Sequence, residues 1–161
     1  RKKRVSDLTQ AQQLQEFADE IFEVSKTSWA IQSRAKAKGH VEITETEFLA
    51  LDVLVRASRS LHVGEIQREL GILPAQMSRV IRSLEHKGEK PLVKCQINPE
   101  DKRKIDVELT AVGKETHRAY RQWKLGTIQE MMLTLSEQDR NELVRILRLI
   151  RAGASKAFHD K

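Results

Sequence analysis

The sequence predicts a mainly α-helical chain carrying one small β-hairpin, and two observations predict it. Between residues 62 and 86, apolar positions recur at helical spacing in two short runs parted by Gly71: Val63, Ile66 and Leu70, then Met77, Val80, Ile81 and Leu84. Between residues 93 and 109 the spacing drops to two. Val93, Cys95 and Ile97, then Ile105, Val107 and Leu109, alternate with Lys94, Gln96, Asp106 and Glu108. Helix, glycine turn, helix and hairpin in that order spell a helix-turn-helix followed by a wing.

Longer helices are expected on both sides of this core. The chain opens on a basic arm, Arg1 to Arg4, which reads either as a solvated tail or as extra phosphate contact. From about Leu8 to Lys38 a long helix places Leu14, Phe17, Ala18, Ile21, Val24, Ser28, Ile31 and Ala35 down one side, with Gly39 as its stop. A helix of this length cannot bury its whole stripe on a compact wing domain, so part of it is expected against another subunit. Thr44-Glu45-Thr46-Glu47 is the spelling of a capping box and opens a helix through Phe48, Leu49, Leu51, Leu54 and Val55 to about Ala57. Apolar on more than one side, that helix is expected to sit centrally. Thr110 can cap a helix running past Tyr120 and Trp123 toward Leu133, and Ser136 a last one striped by Leu143, Ile146, Leu147, Ile150 and Phe158.

Composition bounds the function. The 161 residues suffice for one domain with a core, or one domain plus oligomerisation helices. Lys and Arg number 29 against 23 Asp and Glu, a net +6 that favours a polyanionic partner. No stretch approaches the roughly 20 continuous apolar residues of a membrane span. The start, RKKRVSDL, lacks the apolar run of a secretory signal, and the missing initiator Met suggests that a trimmed segment preceded it. One cysteine cannot build an internal disulfide, which fits a reducing cytoplasm. Cys95 alternates toward the packed side of the hairpin and reads as a small buried hydrophobe.

Catalysis finds little support. Gly64, Gly71, Gly88 and Gly113 stand singly rather than in a phosphate loop, and the histidines (His40, His62, His86, His117, His159) show no paired ligand spacing. His62 at a helix start and His86 near a helix end are accounted for by capping and dipole interactions. No cofactor or metal is expected.

The candidate interface lies on the second helix and the wing. With Met77, Val80, Ile81 and Leu84 turned inward, Ala75, Gln76, Ser78, Arg79, Arg82 and Ser83 are expected to face outward, a side with no carboxylate. Gln and Arg at the exposed end of such a helix can reach adenine and guanine edges in a major groove, while Ser and Ala permit close approach. Taken alone, the helix fits equally a solvated amphipathic helix that happens to be basic. Pro74 suits its first turn. The hairpin tip, NPEDKRK, carries Lys102, Arg103 and Lys104 in succession, which a turn does not need for stability. Beside a helix in the major groove, such a tip reaches the adjacent minor groove, where narrow width concentrates negative potential. Arg103 is the expected groove-entering residue and Lys102 and Lys104 the phosphate contacts, while Asp101 can pair with Arg103 and orient it. Ser60 and His62, leading into the helix-turn-helix, can touch phosphates.

At these residues the chain resembles a known family. LHVGEIQRELGILPAQMSRVIRSLEHKG followed by NPEDKRKIDVELTAVGKE is similar to the winged-helix core of the MarR family of bacterial transcriptional regulators. The most telling matches are the Asp101-Lys102-Arg103 tip and the Leu109-Thr110-x-x-Gly113 step. Two departures stand out: Leu73 occupies the place of a small polar cap, and Glu89-Lys90-Pro91 lengthens the link to the first wing strand. The resemblance implies a winged helix-turn-helix core flanked by N- and C-terminal dimerisation helices. Residues 1–43 would be the arm and long dimerisation helix, 44–110 the DNA-binding core, and 111–161 the C-terminal dimerisation helices. It also implies a two-fold homodimer on a pseudo-palindromic double-stranded DNA site, and a small phenolic or aromatic effector between the dimerisation helices and the core. Trp29 and Trp123 stand outside the DNA motif and read as core packing before they read as cleft lining.

Three functions from different classes follow. The first is a sequence-specific DNA-binding regulator. The second is a winged-helix module for protein–protein contact alone, for which Arg79 and Arg103 would be irrelevant to DNA affinity. The third is an enzyme dimerised through winged-helix elements, for which this length leaves no cofactor domain.

Overall fold

The computed structural model describes residues 2–34 and 42–159, and side chains for residues 9–33 and 42–157. The described elements run α1 (Lys2–Arg34), α2 (Glu45–Ala57), β1 (Leu61–His62), α3 (Val63–Leu70), α4 (Pro74–His86), β2 (Val93–Ile97), β3 (Ile105–Leu109), α5 (Ala111–Met132) and α6 (Glu137–His159). They fall into two units, residues 36–124 and residues 1–35 with 125–161.

In the unit of residues 36–124, one apolar cluster draws on α2, α3, α4 and the sheet region, with Val112 of α5 packed against it. Ala50, Leu51 and Leu54 of α2, Ile66 of α3, Met77, Val80, Ile81 and Leu84 of α4, and Leu61, Leu92, Val93 and Val107 of the sheet region are all buried together. The expected capping box closes: the Thr44 hydroxyl accepts the Glu47 N–H, and the Glu47 carboxylate accepts the Thr44 N–H, each at 3.2 Å. Glu47 is itself buried and does more than cap. Lys87 Nζ donates to it at 2.7 Å and Ser83 Oγ at 3.3 Å, tying the start of α2 to the end of α4. Ser83 is therefore turned toward α2, not outward with the basic face as the periodicity suggested. Its partner lies 36 residues away in sequence, beyond the reach of a local pattern.

The sheet has three strands, not two, in the order β1-β3-β2, all antiparallel. β1 is a two-residue segment before α3, too short to show a period. The hairpin register pairs Val93 with Leu109, Cys95 with Val107 and Ile97 with Ile105. Burial follows the alternation only near the core: Val93 and Val107 are sealed, whereas Ile97 and Ile105 are 65% and 47% exposed because the far end of the hairpin runs past the helices.

The step into α5 is set by close approach. The Thr110 hydroxyl donates to the Leu92 and Pro91 carbonyls (2.9 and 2.8 Å) and accepts the Gly113 N–H at 3.0 Å. A Cβ on Gly113 would lie 2.1 Å from the Leu92 carbonyl oxygen, so only glycine lets α5 settle here. Farther along, His117 Nε2 lies 2.9 Å from Asp52 Oδ1, and its ring stacks on Phe48 at 5.0 Å, with Tyr120 on the same phenyl ring at 4.5 Å.

In the other unit, α1 begins at Lys2, ahead of the expected Leu8, since nothing in RKKRVSDL breaks a helix. The expected end of α1 at Lys38 and Gly39 lies outside the described residues, as do Arg1, Ala35 and His40; the side chains of Lys2 to Arg4, Phe158 and His159 are likewise outside them. The Asp139 N–H donates to Ser136 Oγ at 3.1 Å, the expected cap of α6. Leu14, Phe17, Ile21 and Val24 of α1, with Ile146, Leu147 and Ile150 of α6, remain exposed. Trp29 does not join a core: it is 72% exposed.

Two substitutions test this framework. Gly113→Ala should cost several kcal/mol, about 3 or more, because the clash is with backbone that cannot rotate away. Glu47→Ala should cost about 3 kcal/mol by stripping a helix cap and leaving Lys87 without its buried partner. Urea unfolding of each variant against the parent chain reads both.

Candidate nucleic-acid interface

α4 gives one side to the core and leaves the other free. Met77, Val80, Ile81 and Leu84 are buried, while Ala75, Gln76, Ser78, Arg79 and Arg82 are exposed. Leu73 is the N-cap residue and provides no side-chain bond, as its type requires, and Pro74 occupies the first turn. Among the described residues, none of Arg79, Arg82, Lys102 and Lys104 is held by a carboxylate. Cations without internal partners are available to an external anion.

The wing tip is tightly bonded. The Asn98 N–H donates to the Lys104 carbonyl and the Lys104 N–H to the Asp101 carbonyl, both at 2.9 Å. Asn98 Oδ1 accepts the N–H groups of Glu100 and Asp101 at 2.9 Å each. Asp101 Oδ1 accepts both the backbone N–H and Nε of Arg103 at 3.1 Å. Arg103 Nη2 also donates to Asp101 Oδ2 at 3.4 Å, yet the side chain is 90% exposed, so orientation by Asp101 leaves the guanidinium open to an outside partner.

The two patches share one concavity. A groove of about 560 Å³ runs between α3, α4 and the wing, and its walls include Ser78 and Arg82 of α4, Arg103 and Lys104 of the tip, and His62. The sequence did not single out Arg68, which also lines it and whose Nε donates to the Gly64 carbonyl at 3.2 Å. Its position facing the groove follows from α3 packing on α4, which no single-helix pattern reports. Ala75, Gln76, Arg79, Lys102 and Ser60 are exposed but do not line the groove. Glu65, Glu85 and Cys95 lie in its walls as well. Burial, with Glu85 adding to it, pushes the Cys95 thiol up to about 12, so it stays protonated and unreactive.

His62 is committed at both ends. Its N–H donates to Glu65 Oε2 at 2.8 Å, and its Nδ1 lies 2.6 Å from Asp106 Oδ1. Three carboxyls around the wing are held below their ordinary values. The His62 N–H does this for Glu65, the Arg103 side chain for Asp101, and the Asn98 amide, with His62, for Asp106. Among the described residues no group of three His, Cys, Asp or Glu side chains could hold a metal ion, and no helix is long and apolar enough to cross a membrane.

This architecture is a winged helix-turn-helix in which α4 and the wing tip line one groove. Residues 43–105 match the sequence model of the MarR family, the family that the helix-turn-helix and wing resemble. No curated protein sequence matches the chain. Solved structures do. Apo wild-type MarR from E. coli is 21% identical, covering 83% of this chain and 94% of its own, with a TM-score of 0.66. A MepR mutant from S. aureus bound to an oligodeoxyribonucleotide is 18% identical (86% and 97% covered, TM-score 0.59). BpsR from Bordetella bronchiseptica, whose DNA binding is regulated by 6-hydroxynicotinic acid, is 19% identical (83% and 91% covered, TM-score 0.62). At these identities the likeness is one of fold.

The carboxyl shifts set an acid limit. Because Glu65, Asp101 and Asp106 titrate lower when folded than when unfolded, their contribution is complete above the unfolded values, near about 4. It is lost as pH falls through the folded values. Thermal unfolding should therefore show a loss of stability that begins near about pH 4 and deepens below it, and Asp106→Asn should shrink that loss.

Proposed function

We propose that this chain is a sequence-specific DNA-binding transcriptional regulator, a repressor that works in the cytoplasm as a homodimer. The observation that carries the reading is the groove: Ser78 and Arg82 from α4, and Arg103 and Lys104 from the wing, line it together. A duplex laid on that face would take α4 into its major groove, with Gln76, Arg79 and Arg82 toward base edges and Ala75 and Ser78 allowing close approach. Arg103 would enter the neighbouring minor groove, and Lys102, Lys104 and Ser60 would meet phosphates. The oligonucleotide-bound MepR relative supports the same use of the fold.

The dimer is supported by the exposed apolar side chains of α1 and α6, which a second copy would cover. Two-fold symmetry would then set the reading helices about 34 Å apart on a pseudo-palindromic operator. BpsR supports an effector: a small aromatic or phenolic acid that binds one spacing of the two helices better than the other would release the operator.

The test is selection of bound sites from random duplex DNA, followed by gel-shift titration on the selected site at two salt concentrations. A palindromic site is expected, with affinity falling as salt rises. Arg82→Ala and Arg103→Ala should each cost about 1–3 kcal/mol of binding, and Lys102→Ala should lower the salt slope by about one. Binding that vanishes under excess nonspecific DNA, with both Arg variants silent, would leave the chain a protein-contact module.

A further inference from the structure

Asp106 occupies the central strand, opposite His62 of β1 on one side and Gln96 of β2 on the other. A carboxylate is a poor strand former, and this one is only 12% exposed. It collects three polar contacts: His62 Nδ1 at 2.6 Å, and Asn98 Nδ2, which donates to its two oxygens at 3.1 and 3.0 Å. Asn98 passes the constraint on, because its Oδ1 accepts the N–H groups of Glu100 and Asp101. Asp101 then holds the backbone and Nε of Arg103. A run of hydrogen bonds, passing from Asn98 onto the backbone of Asp101, thus leads from the N-cap of α3 to the guanidinium at the wing tip.

The strand pairing does not need this run, since backbone bonds already close the hairpin through Asn98, Lys104 and Asp101. What it removes is freedom in an exposed, cationic loop. A tip free to move must be ordered when it binds, and each long side chain immobilised then costs conformational entropy. A tip already fixed avoids most of that.

We infer that Asp106 is a positioning residue which, through Asn98 and Asp101, holds Arg103 in its binding-ready orientation, and that His62 anchors it to α3 rather than contacting phosphate. The inference rests on the reading of Arg103 as a DNA contact. It assigns the wing's order to a bond that spans 44 residues of sequence.

Two measurements on the full chain test it. Without DNA, amide hydrogen exchange in Asp106→Ala should speed up at Glu100, Asp101 and Arg103 by about tenfold or more, while the amides of Val80 and Leu84 stay protected. With DNA, Asp106→Ala should weaken binding by about tenfold in the parent chain and in Arg82→Ala, but add almost nothing in Arg103→Ala. Asn98→Ala breaks the same run from the loop side and should repeat both results if Asp106→Ala fails to fold. Unchanged wing exchange, or a loss that adds in full to that of Arg103→Ala, would overturn the inference while leaving the regulator reading intact. A parent chain that does not bind DNA, or an Arg103→Ala variant that binds as well as the parent, would overturn the regulator reading and this inference with it.

Discussion

A helix can give only one side to a core, and that constraint governs the molecule. In α4 the buried side is taken by Met77, Val80, Ile81 and Leu84, so every polar side chain between Ala75 and Arg82 has only the outside left. Rotation about the helix axis would trade buried methyl groups for guanidinium groups, a loss of about 25 cal/mol for each Å² of apolar surface returned to water. Glu47 adds a second hold at the other end, where Lys87 and Ser83 meet its carboxylate. The wing is fixed by the same core, because Val93 and Val107 enter it from β2 and β3. Helix α4 and the wing therefore keep a common face without touching through their own cations.

Much of this was legible in the chain, and the limits of legibility follow from distance. Thr44 with Glu47, Thr110 with Gly113 and Ser136 with Asp139 are local pairings, and each closes as its spacing requires. The inward row of α4 is equally local. Ser83 departs from the side its spacing predicts because its partner belongs to α2. The bond between His62 and Asp106 joins residues that become neighbours only once β1 pairs with β3. Ile97 and Ile105 keep the alternation of buried residues yet stand in water, since period reports which side of a strand a residue takes but not where the covering helices end. Gly113 is a different case. Its place in the signature was visible, but the reason, a carbonyl of Leu92 pressed against its α-carbon, belongs to packing.

The helices outside the winged unit obey another logic. Where the unit of residues 36–124 seals Leu51, Leu54, Ile66, Met77, Leu84 and Val107 in one cluster, α1 and α6 leave Leu14, Phe17, Leu147 and Ile150 open to solvent. The long stripe along α1 that implied a second subunit is present as a stripe, and Trp29 stands beside it as bare surface. In the proposed homodimer these side chains supply the association energy, while the stability of the winged unit comes from its own core. Substitutions in the two groups would then separate: one set would change how the chain assembles, the other whether it folds.

The small sheet also has to coexist with many copies of itself. In the order β1-β3-β2, the outer margin of β2 offers unpaired backbone to any passing strand, and Ile97 of β2 and Ile105 of β3, at the far end of the hairpin, are sticky. Three features discourage fibre growth: β2 is only five residues long, the exposed Lys94 sits on it, and the bonded tip beyond carries positive charge that repels an identical neighbour. Exchange of that lysine for an apolar residue would turn the open margin of β2 into a nucleus for aggregation.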